Sequence, residues 1–254
     1  MLLEQIQEVV RDCGQLMRNA DREQTATEVK FGQANNLVTA YDKKIQQILQ
    51  EKLLQILPEA HFVGEEEDIH DSIAEGYAFI VDPIDGTTNF VKDYKCSVVS
   101  VAVTKDGAPY LGVIYNPYLE EMFWAQAGQG AFCNGQRIHA SQKPLEQGLT
   151  LFGSAPYYSE LTDETFRVLR LCFDRSLDVR RSGSAAWDLC TIAAGRAELY
   201  YELCLQPWDY AAGTIIVQEA GGFVTDINGN AVDLTAPCSV LAVGSNVDTA
   251  FLHA

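Results

Sequence analysis

The sequence predicts an α+β fold, in which two N-terminal helices pack on a long antiparallel sheet and a smaller α/β unit follows. Three observations support this. Apolar residues recur at three- and four-residue steps up to residue 57, strand-like runs separated by turn pairs occupy residues 61–133, and strands alternate with helices after residue 143. We therefore expect an N-terminal unit of residues 1–142 and a C-terminal unit of residues 143–254.

Both N-terminal helices have an amphipathic pattern. The first carries its apolar stripe from Leu2 to Met17. The second begins after Thr39, which can act as an N-cap, and Asp42 at the third helical position makes a short capping box. Pro58 ends this helix. The cap and the helix dipole are sufficient reasons for an acid at position 42, so this position alone indicates no chemistry.

The sheet of the first unit is predicted from β-rich runs and turn pairs. Asp106-Gly107 and Asn134-Gly135 are typical hairpin turns. Gly64 introduces a run of acids, of which Glu65 stands next to a strand end and is expected to point inward. The predicted strands are His61–Val63, Tyr77–Val81, Cys96–Thr104, Pro109–Tyr115, Met122–Ala125 and Gly130–Cys133.

Strands and helices alternate in the second unit, which is the pattern of an α/β unit. One helix begins at Pro207 and ends at Gly221-Gly222, and a short helix ends the chain. The other predicted helices are Asp163–Phe173 and Ala185–Ala194, and the predicted strands are Leu149–Gly153, Leu177–Arg181, Ala197–Leu203, Phe223–Thr225 and Ser239–Val243.

Composition and charge narrow the function classes. The chain of 254 residues has a net charge of −17, which argues against nucleic acid as the main partner because phosphate binding needs a basic surface. The longest apolar runs are far short of a bilayer span, and the N-terminus lacks the basic start of a signal peptide. We expect a cytoplasmic protein without membrane association.

Several common motifs are absent from the sequence. The seven cysteines include no Cys-x-x-Cys pair and are odd in number, so we expect free buried thiols rather than disulfides or a zinc ribbon. The four histidines are isolated. There is no phosphate loop, no Gly-x-Gly-x-x-Gly, no His-Glu-x-x-His and no Gly-x-Ser-x-Gly.

Oxygen-ligand metal chemistry is what the remaining polar residues permit. Asp82 and Asp85 bracket Pro83 directly after an apolar run, so both carboxylates and the carbonyl of Ile84 can face one point, as Mg²⁺ requires. Asp-Pro and Asp-Gly are also ordinary turn pairs, and an acid such as Asp209 in the first turn of a helix is favourable for the dipole alone. The small residues 211–213 favour a helix start that packs tightly.

Five motifs in order resemble the inositol monophosphatase family, whose members are magnesium-dependent, lithium-sensitive phosphomonoesterases that share a fold with fructose-1,6-bisphosphatase. The segments Gly183 to Ala186 and Trp208 to Gly213 look most like the bacterial branch of the family. The resemblance implies a layered α/β/α/β/α sandwich, usually in a homodimer. The matching segments are Leu37-Val38-Thr39-x-x-Asp42, Gly64-Glu65-Glu66, the run Asp82 to Phe90, the run Arg181 to Ala186 ahead of Tyr200-Tyr201-Glu202, and the run Trp208 to Gly213 with Gly221-Gly222 downstream.

The resemblance also implies a role for each site residue, with two to three Mg²⁺ ions. Glu65, Asp82 and the Ile84 carbonyl would hold the first ion. Asp82, Asp85 and Asp209 would hold the second, and Glu65 would help to hold a weaker third. Thr87 and Asp42 would orient the nucleophilic water. The remaining implied positions are the phosphate-binding amides of Gly86, Thr87 and Thr88, the active-site loop residue Lys30, and Gly183, Ser184, Ala185 and Glu202 on the side of the substrate's alcohol.

The implied function is Mg²⁺-dependent hydrolysis of a small phosphomonoester by in-line attack of a metal-activated water, with inositol monophosphate as the first choice. Fructose-1,6-bisphosphate and histidinol phosphate are the alternative substrates on the same scaffold. A bisphosphate would need a second cationic pocket, for which Arg180 and Arg181 are candidates, although an arginine pair at a strand end is often a surface feature. A metal-binding protein kept for protein contacts, without catalysis, is the alternative of a different class.

Overall fold

The structure is a computed structural model, and it describes residues 1–21, 27–29, 37–67 and 71–253. The α-helices are α1 Leu2–Arg18, α2 Ala40–Ile56, α3 Thr87–Val91, α4 Thr162–Phe173, α5 Ala185–Ala193 and α6 Pro207–Glu219. Five of the six α-helices agree with the sequence prediction to within a residue or two, and the short helix α3 was not predicted from the pattern. Short 3₁₀ helices span Leu145–Gln147, Ser159–Leu161 and Ala250–His253.

The strands form one pair and two larger sheets. The strands of the pair and the first sheet are β1 Thr27–Val29, β2 Leu37–Thr39, β3 His61–Gly64, β4 Tyr77–Asp85, β5 Val98–Lys105, β6 Ala108–Asn116, β7 Glu121–Gln126, β8 Gly130–Cys133 and β9 Gln136–Ile138. Those of the second sheet are β10 Leu149–Phe152, β11 Asp178–Arg180, β12 Leu199–Leu205, β13 Phe223–Thr225 and β14 Cys238–Val243.

The first sheet has seven strands in the order β3-β4-β5-β6-β7-β8-β9. The expectation that it is antiparallel throughout is wrong at one edge, because β3 pairs with β4 in parallel. The connection from Gly64 to Tyr77 is long enough for the crossover that a parallel pair needs. The pattern also missed β9, a short strand that pairs with β8 after the Asn134-Gly135 turn.

The second sheet has five strands in the order β11-β10-β12-β14-β13. β10 pairs in parallel with both β11 and β12, and β14 pairs antiparallel with β12 and β13. Mixed pairing follows from the alternation of helices and strands in this half of the chain. The two sheets therefore come from the two halves of the sequence.

Three hydrophobic clusters define the layers. The first joins α1 and α2 to one face of the seven-stranded sheet, through residues such as Ile6, Leu49 and Val101. The second places α5 and α6 between the two sheets, with Leu189 and Ile216 in its centre. The third packs α4 on the outer face of the five-stranded sheet. The order of layers is α/β/α/β/α, as the resemblance implies.

The boundary predicted near residue 142 falls between β9 and the 3₁₀ helix Leu145–Gln147. The middle layer belongs to the second half of the chain, yet it packs on strands of both halves. The two-unit division therefore stays a prediction. All seven cysteines are free thiols. None of the helices in the described ranges is both long and apolar enough to cross a membrane.

Candidate active site

The end of β4 carries the central pair of carboxylates. The register with β5 passes from Asp82 opposite Ser100 to Asp85 opposite Val98, so β4 contains one extra residue at this point. A bulge of this kind bends a strand and re-aims its side chains. Both aspartates are buried, and the Ile84 amide donates a hydrogen bond to Asp82 Oδ1 at 2.9 Å. The predicted acidic turn is thus the bulged end of a strand.

Asp42 has two partners, and they correspond to its two possible roles. Its Oδ2 accepts a hydrogen bond from the Thr39 amide at 2.8 Å, which confirms the capping box at the start of α2. Its Oδ1 accepts the hydroxyl of Thr87 at 3.1 Å. Burial raises the pKa of Asp42 to about 6, against the effect of the Thr39 hydrogen bonds, and the charge of Glu65 raises it further. The helix cap therefore also holds a carboxylate beside Thr87.

Glu65 stands on a loop that α2 positions. The Glu65 amide donates to the Val81 carbonyl at 3.1 Å, which ties the loop to β4. The buried side chain of Gln46 accepts the amide of Glu66 at 2.8 Å through its Oε1. A Cβ atom at Gly64 would lie 2.6 Å from Gln46 Cδ, so only glycine allows this approach. Gln46 was not among the predicted site residues, although a polar residue one turn after Asp42 on an apolar helix face could have indicated a buried hydrogen bond.

Asp209 enters the site from the first turn of α6. Its Oδ2 accepts the Gln206 amide at 2.7 Å in a capping box. The helix packs closely on its neighbours, because a Cβ atom at Gly213 would lie 2.6 Å from Leu189 Cβ, and one at Gly112 would lie 2.5 Å from the Ala212 carbonyl oxygen. This confirms the expectation that the small residues after Asp209 fix the start of the helix against other backbone.

Electrostatic coupling brings these acids into one cluster. The charge of Glu65 is among the causes that raise the pKa of Asp42, Asp82, Asp85 and Asp209. Burial is the largest cause in each case, and at Asp82 the charges of four other carboxylates add to it. A buried cluster of this sign is costly unless protons or cations neutralise it.

The donor set of this cluster fits a hard divalent cation. Carboxylate and carbonyl oxygens are the ligands that Mg²⁺ prefers. In the described part of the chain, no three His, Cys, Asp or Glu side chains are arranged so that they could hold a metal ion as they stand. Oxygens of Asp82, Asp85 and Asp209 accept hydrogen bonds from nearby protein groups instead.

Asp85 joins the two halves of the chain through the start of α5. It accepts hydrogen bonds from the Ser184 hydroxyl at 2.7 Å, the Ala186 amide at 2.6 Å and the Ala185 amide at 3.3 Å. Burial raises its pKa to about 7, and these three donors oppose the shift. Ser184 and Ala185, predicted to face the substrate's alcohol, therefore bind a site carboxylate.

Gly86 turns the chain from β4 into α3. Its φ of 87° lies in the left-handed region that favours glycine, and a Cβ atom there would meet the Cys96 carbonyl at 3.0 Å and the Gly183 carbonyl at 3.2 Å. Asn89 crosses the same junction, since its Nδ2 donates to the carbonyls of Cys96 and Ser182 at 2.6 and 2.9 Å. The first turn of α3 thus faces the Gly183 turn, and Thr88 is exposed on it.

Glu202 is buried on β12 and is held from two sides. Its Oε1 accepts the amide of Ala155 at 2.7 Å, and its Oε2 accepts the hydroxyl of Tyr200 at 2.9 Å. A Cβ atom at Gly153 would lie 1.8 Å from Oε2. Burial raises the pKa of Glu202, and the two hydrogen bonds oppose this. The turn 153–155, which the sequence analysis did not single out, therefore belongs to the site.

All predicted positions except Lys30 lie within the described residues. Two further polar residues that support the site, Asn89 and Asp188, were not predicted from the sequence. Asn89 had a signal, because an amide follows the two threonines directly, whereas Asp188 on α5 had none beyond an acid in an apolar helix. Asp188 is buried, and burial raises its pKa well above the usual range, against a hydrogen bond from Ser182.

Comparison with known proteins agrees with this geometry over nearly the whole chain. A sequence model described as the inositol monophosphatase family matches residues 2–253. Inositol monophosphatase 2 of Solanum lycopersicum is 40% identical over 228 residues, covering 86% of this chain and 85% of that protein. The protein named Nus factor SuhB of Vibrio cholerae is 38% identical over 214 residues, covering 84% and 79%. The structure of an IMPase of Thermotoga maritima matches with a TM-score of 0.86 at 30% identity, covering 96% and 92%.

Proposed function

The chain belongs to the inositol monophosphatase family, and from that premise we propose that it is a Mg²⁺-dependent phosphomonoesterase acting on a small phosphorylated polyol. Inositol monophosphate is the proposed substrate, as the name of the Solanum lycopersicum relative suggests. The observation that carries the proposal is the cluster of Glu65, Asp82, Asp85 and Asp209, whose mutual charge raises the pKa of its buried members.

We propose that these acids divide between two principal ion sites. Glu65, Asp82 and the Ile84 carbonyl would hold the first Mg²⁺ ion, and Asp82, Asp85 and Asp209 would hold the second. Glu65 would also help to hold a weaker third. When bound, the ions would neutralise the charge of the phosphate ester and lower the pKa of a water. Asp82 stands in both sets, which fits its position among the other acids.

Thr87 and Asp42 would orient the attacking water. Because Asp42 Oδ1 accepts the Thr87 hydroxyl at 3.1 Å, the lone pairs of Thr87 Oγ1 remain available to accept a proton from a water. The capping hydrogen bonds at Asp42 Oδ2 keep that carboxylate from rotating. A fixed acceptor beside the phosphate would align the water for in-line attack.

The start of α3 would receive the phosphate. The first amides of a helix have no carbonyl partner within the helix, and they carry partial positive charge. We assign this role to the amides of Gly86, Thr87 and Thr88. The left-handed conformation at Gly86 places these amides directly after the Asp82–Asp85 bulge. The phosphate would then lie between the helix start and the ions.

Phosphate release tests the proposal directly. The purified protein should release phosphate from myo-inositol 1-phosphate in millimolar Mg²⁺, should lose this activity in EDTA, and should be inhibited by Li⁺. Fructose 1,6-bisphosphate, histidinol phosphate and p-nitrophenyl phosphate in the same assay rank the alternative substrates. If none of the four released phosphate at any Mg²⁺ concentration, the proposed function would be wrong.

A non-catalytic role is the second candidate. The Vibrio cholerae relative is named for a Nus factor rather than for an enzyme, so similarity at 38% identity extends to a protein with a non-enzymatic name. The prediction that nucleic acid is not the main partner rests on the net charge alone and stays a prediction. Mg²⁺-dependent stabilisation without phosphate release would favour this second candidate.

The homodimer also stays a prediction, and α4 is where the structure supports it. Phe166 and Phe173 are 54% and 53% exposed on this outer helix, and Leu177 just beyond it is 69% exposed. Large apolar side chains grouped on a surface are typical of contact sites. Sedimentation of the wild type and of Phe166→Glu checks this assignment, since the substitution should shift a dimer towards monomer.

A further inference from the structure

Two consecutive arginines after β11 have different surroundings. The guanidinium of Arg180 pairs with Asp178 at 2.5 Å and donates to the Val179 carbonyl at 2.8 Å, so it is bound to its own strand. Arg181 instead reaches another segment, because its Nε donates to the hydroxyl of Ser154 at 3.2 Å. The two residues have the same charge, and only Arg181 faces the turn that holds Glu202.

Arg181 spans the alcohol side of the site. Ser154 lies between Gly153, whose Cα faces the carboxylate of Glu202, and Ala155, whose amide donates to that carboxylate. On the opposite side, Arg181 Nη1 lies 3.4 Å from the position that a Cβ atom of Gly183 would occupy. The guanidinium therefore bridges the 153–155 turn and the Gly183 turn. A single hydrogen bond through Nε engages one of its five N–H donors.

Two buried acids of the protein lie close enough to Arg181 to feel its charge. Its positive charge is among the causes that lower the pKa values of Glu202 and Asp188, against the larger effect of burial. Donors on Arg181 next to acceptors on Glu202 suit a neutral group that both donates and accepts hydrogen bonds, which is a hydroxyl.

We propose that Arg181 determines specificity by donating hydrogen bonds to the hydroxyls of an uncharged polyhydric alcohol, opposite Glu202, which accepts from them. Glu202 can do this while held, because each carboxylate oxygen accepts more than one hydrogen bond. This inference rests on the proposed phosphomonoesterase function and adds Arg181 as a residue that selects the alcohol. It assigns Arg180 no part in the substrate pocket.

The test compares Arg181→Gln with Arg180→Gln, which removes the same charge from the neighbouring residue. Activity is measured on myo-inositol 1-phosphate, on p-nitrophenyl phosphate, which has no alcohol hydroxyls, and on fructose 1,6-bisphosphate. Arg181→Gln should lower kcat/KM for the inositol phosphate about 10- to 100-fold, as expected for a hydrogen bond from a charged donor, mainly through KM. Its kcat/KM for p-nitrophenyl phosphate should change by less than about threefold, within the range of a lost surface charge.

Arg180→Gln should leave all three substrates at wild-type values. Equal losses on the inositol and nitrophenyl esters in Arg181→Gln would overturn the proposal and indicate a structural role. A loss confined to fructose 1,6-bisphosphate would overturn it in favour of a second-phosphate site. Wild-type protein that releases phosphate from p-nitrophenyl phosphate but not from the polyol ester would defeat the specificity assignment alone. Wild-type protein inactive on every ester would defeat the proposed function as well.

Discussion

Two groups of buried acids differ in their surroundings. The metal side is the group around Asp82, Asp85 and Asp209, and the alcohol side is the group around Glu202 and Asp188. On the metal side, burial and the charges of neighbouring acids raise the pKa of Asp82 and Asp209. On the alcohol side, burial also raises the pKa of Glu202, but Arg181 and two hydrogen bonds oppose the rise. The largest influences on Asp82 include four other acids and no basic residue.

This difference indicates what each side can bind. A carboxylate cluster without a basic partner favours cations, because an ion removes the repulsion that the fold cannot remove by itself. A carboxyl group beside an arginine lacks this excess of negative charge, and the two groups together offer hydrogen-bond acceptors and donors. Under the proposed function, the metal ions and the neutral alcohol would thus be recognised by two separate groups of acids. Substitutions on the two sides should differ in the same way.

The largest effect is expected on the metal side, at Asp82. Asp82→Asn should lower kcat by about three orders of magnitude or more at saturating Mg²⁺, because the residue is assigned to two ions and each contributes several kcal/mol of stabilisation. The variant should nevertheless fold. In EDTA at pH 8 its free energy of unfolding should exceed that of the wild type, since the substitution removes a buried carboxyl group whose ionisation the neighbouring acids disfavour. Steady-state kinetics and urea unfolding measure both effects.

Asp188→Asn is the matched control, because Asp188 is also a buried carboxylate with a raised pKa but lies beside Arg181. It should retain activity far above that of Asp82→Asn. Near wild-type turnover in Asp82→Asn would show that the metal assignment is wrong. An equal loss of kcat in Asp82→Asn and Asp188→Asn would show that the acids of the metal side and of the alcohol side do not differ in function.

The second-largest effect is expected in the pH dependence of the free energy of unfolding. The folded-state pKa values of Asp42 and Asp85 are raised to about 6 and about 7, so between pH 4 and pH 7 the folded state binds more protons than the unfolded state. Their stabilising contribution is therefore present at low pH and lost as pH rises through 6 and 7. In EDTA the free energy of unfolding should fall by a few kcal/mol, in order of magnitude, between pH 5 and pH 8.

Magnesium should reverse that loss, because ions bind the ionised carboxylates. The increase in Tm that Mg²⁺ causes should thus be larger at pH 8 than at pH 5. Thermal unfolding at the two pH values, with EDTA and with MgCl₂, gives the four Tm values that this comparison needs. If the free energy of unfolding in EDTA rose from pH 5 to pH 8, the raised pKa values of Asp42 and Asp85 would be contradicted.

A smaller effect is expected from the hydroxyl that links the metal side to the water. Thr87→Val keeps the shape of the side chain but loses the donor to Asp42 Oδ1, and it should lower kcat about 100-fold, the size of effect expected when a reacting group is misplaced. Thr87→Ser restores the hydroxyl and should recover most of the activity. If the valine and serine variants were equally active, the hydroxyl would have no role in orienting the water.

The sequence could predict the parts of the site that depend on local structure. The cap of α2 at Thr39 and the start of α6 before Asp209 follow from residues within one turn, and both are confirmed. Contacts between distant segments could not be read in this way. Ala155 adopts a φ of 40°, a conformation for which alanine gives no sequence signal, and it does so where its amide holds Glu202.

The parallel edge of the first sheet and the bulge at Asp82 were unpredictable for a related reason. The sequence between β3 and β4 gives no direction of pairing, since only packing of the layers decides it. The bulge depends on the register with Ser100 and Val98, which local propensity does not contain. The identity of the ligands could be predicted from motifs, but their present hydrogen-bond partners required the three-dimensional arrangement.

The smallest effect is expected at Glu202, where a role in holding the 153–155 turn has to be distinguished from a role in recognising the alcohol. Glu198, directly before β12, and Glu202 on β12 form a matched pair for this test. Glu198 and Glu202 are both buried, and each accepts a backbone amide at 2.7 Å, from Leu149 and from Ala155 respectively. Each also faces a glycine of the neighbouring segment at which a Cβ atom would lie 1.8 Å away. They thus hold the two ends of β10 in the same manner, but only Glu202 lies beside Arg181.

Glu202→Gln and Glu198→Gln should therefore lower Tm by similar amounts, since each amide oxygen can still accept the backbone N–H. Only Glu202→Gln should lower kcat/KM for myo-inositol 1-phosphate, by about tenfold, because it removes one acceptor for a substrate hydroxyl. Equal kinetic losses in the two variants would mean that Glu202 acts by holding the 153–155 turn. A loss specific to Glu202→Gln that is absent with p-nitrophenyl phosphate would place recognition of the alcohol at this carboxylate.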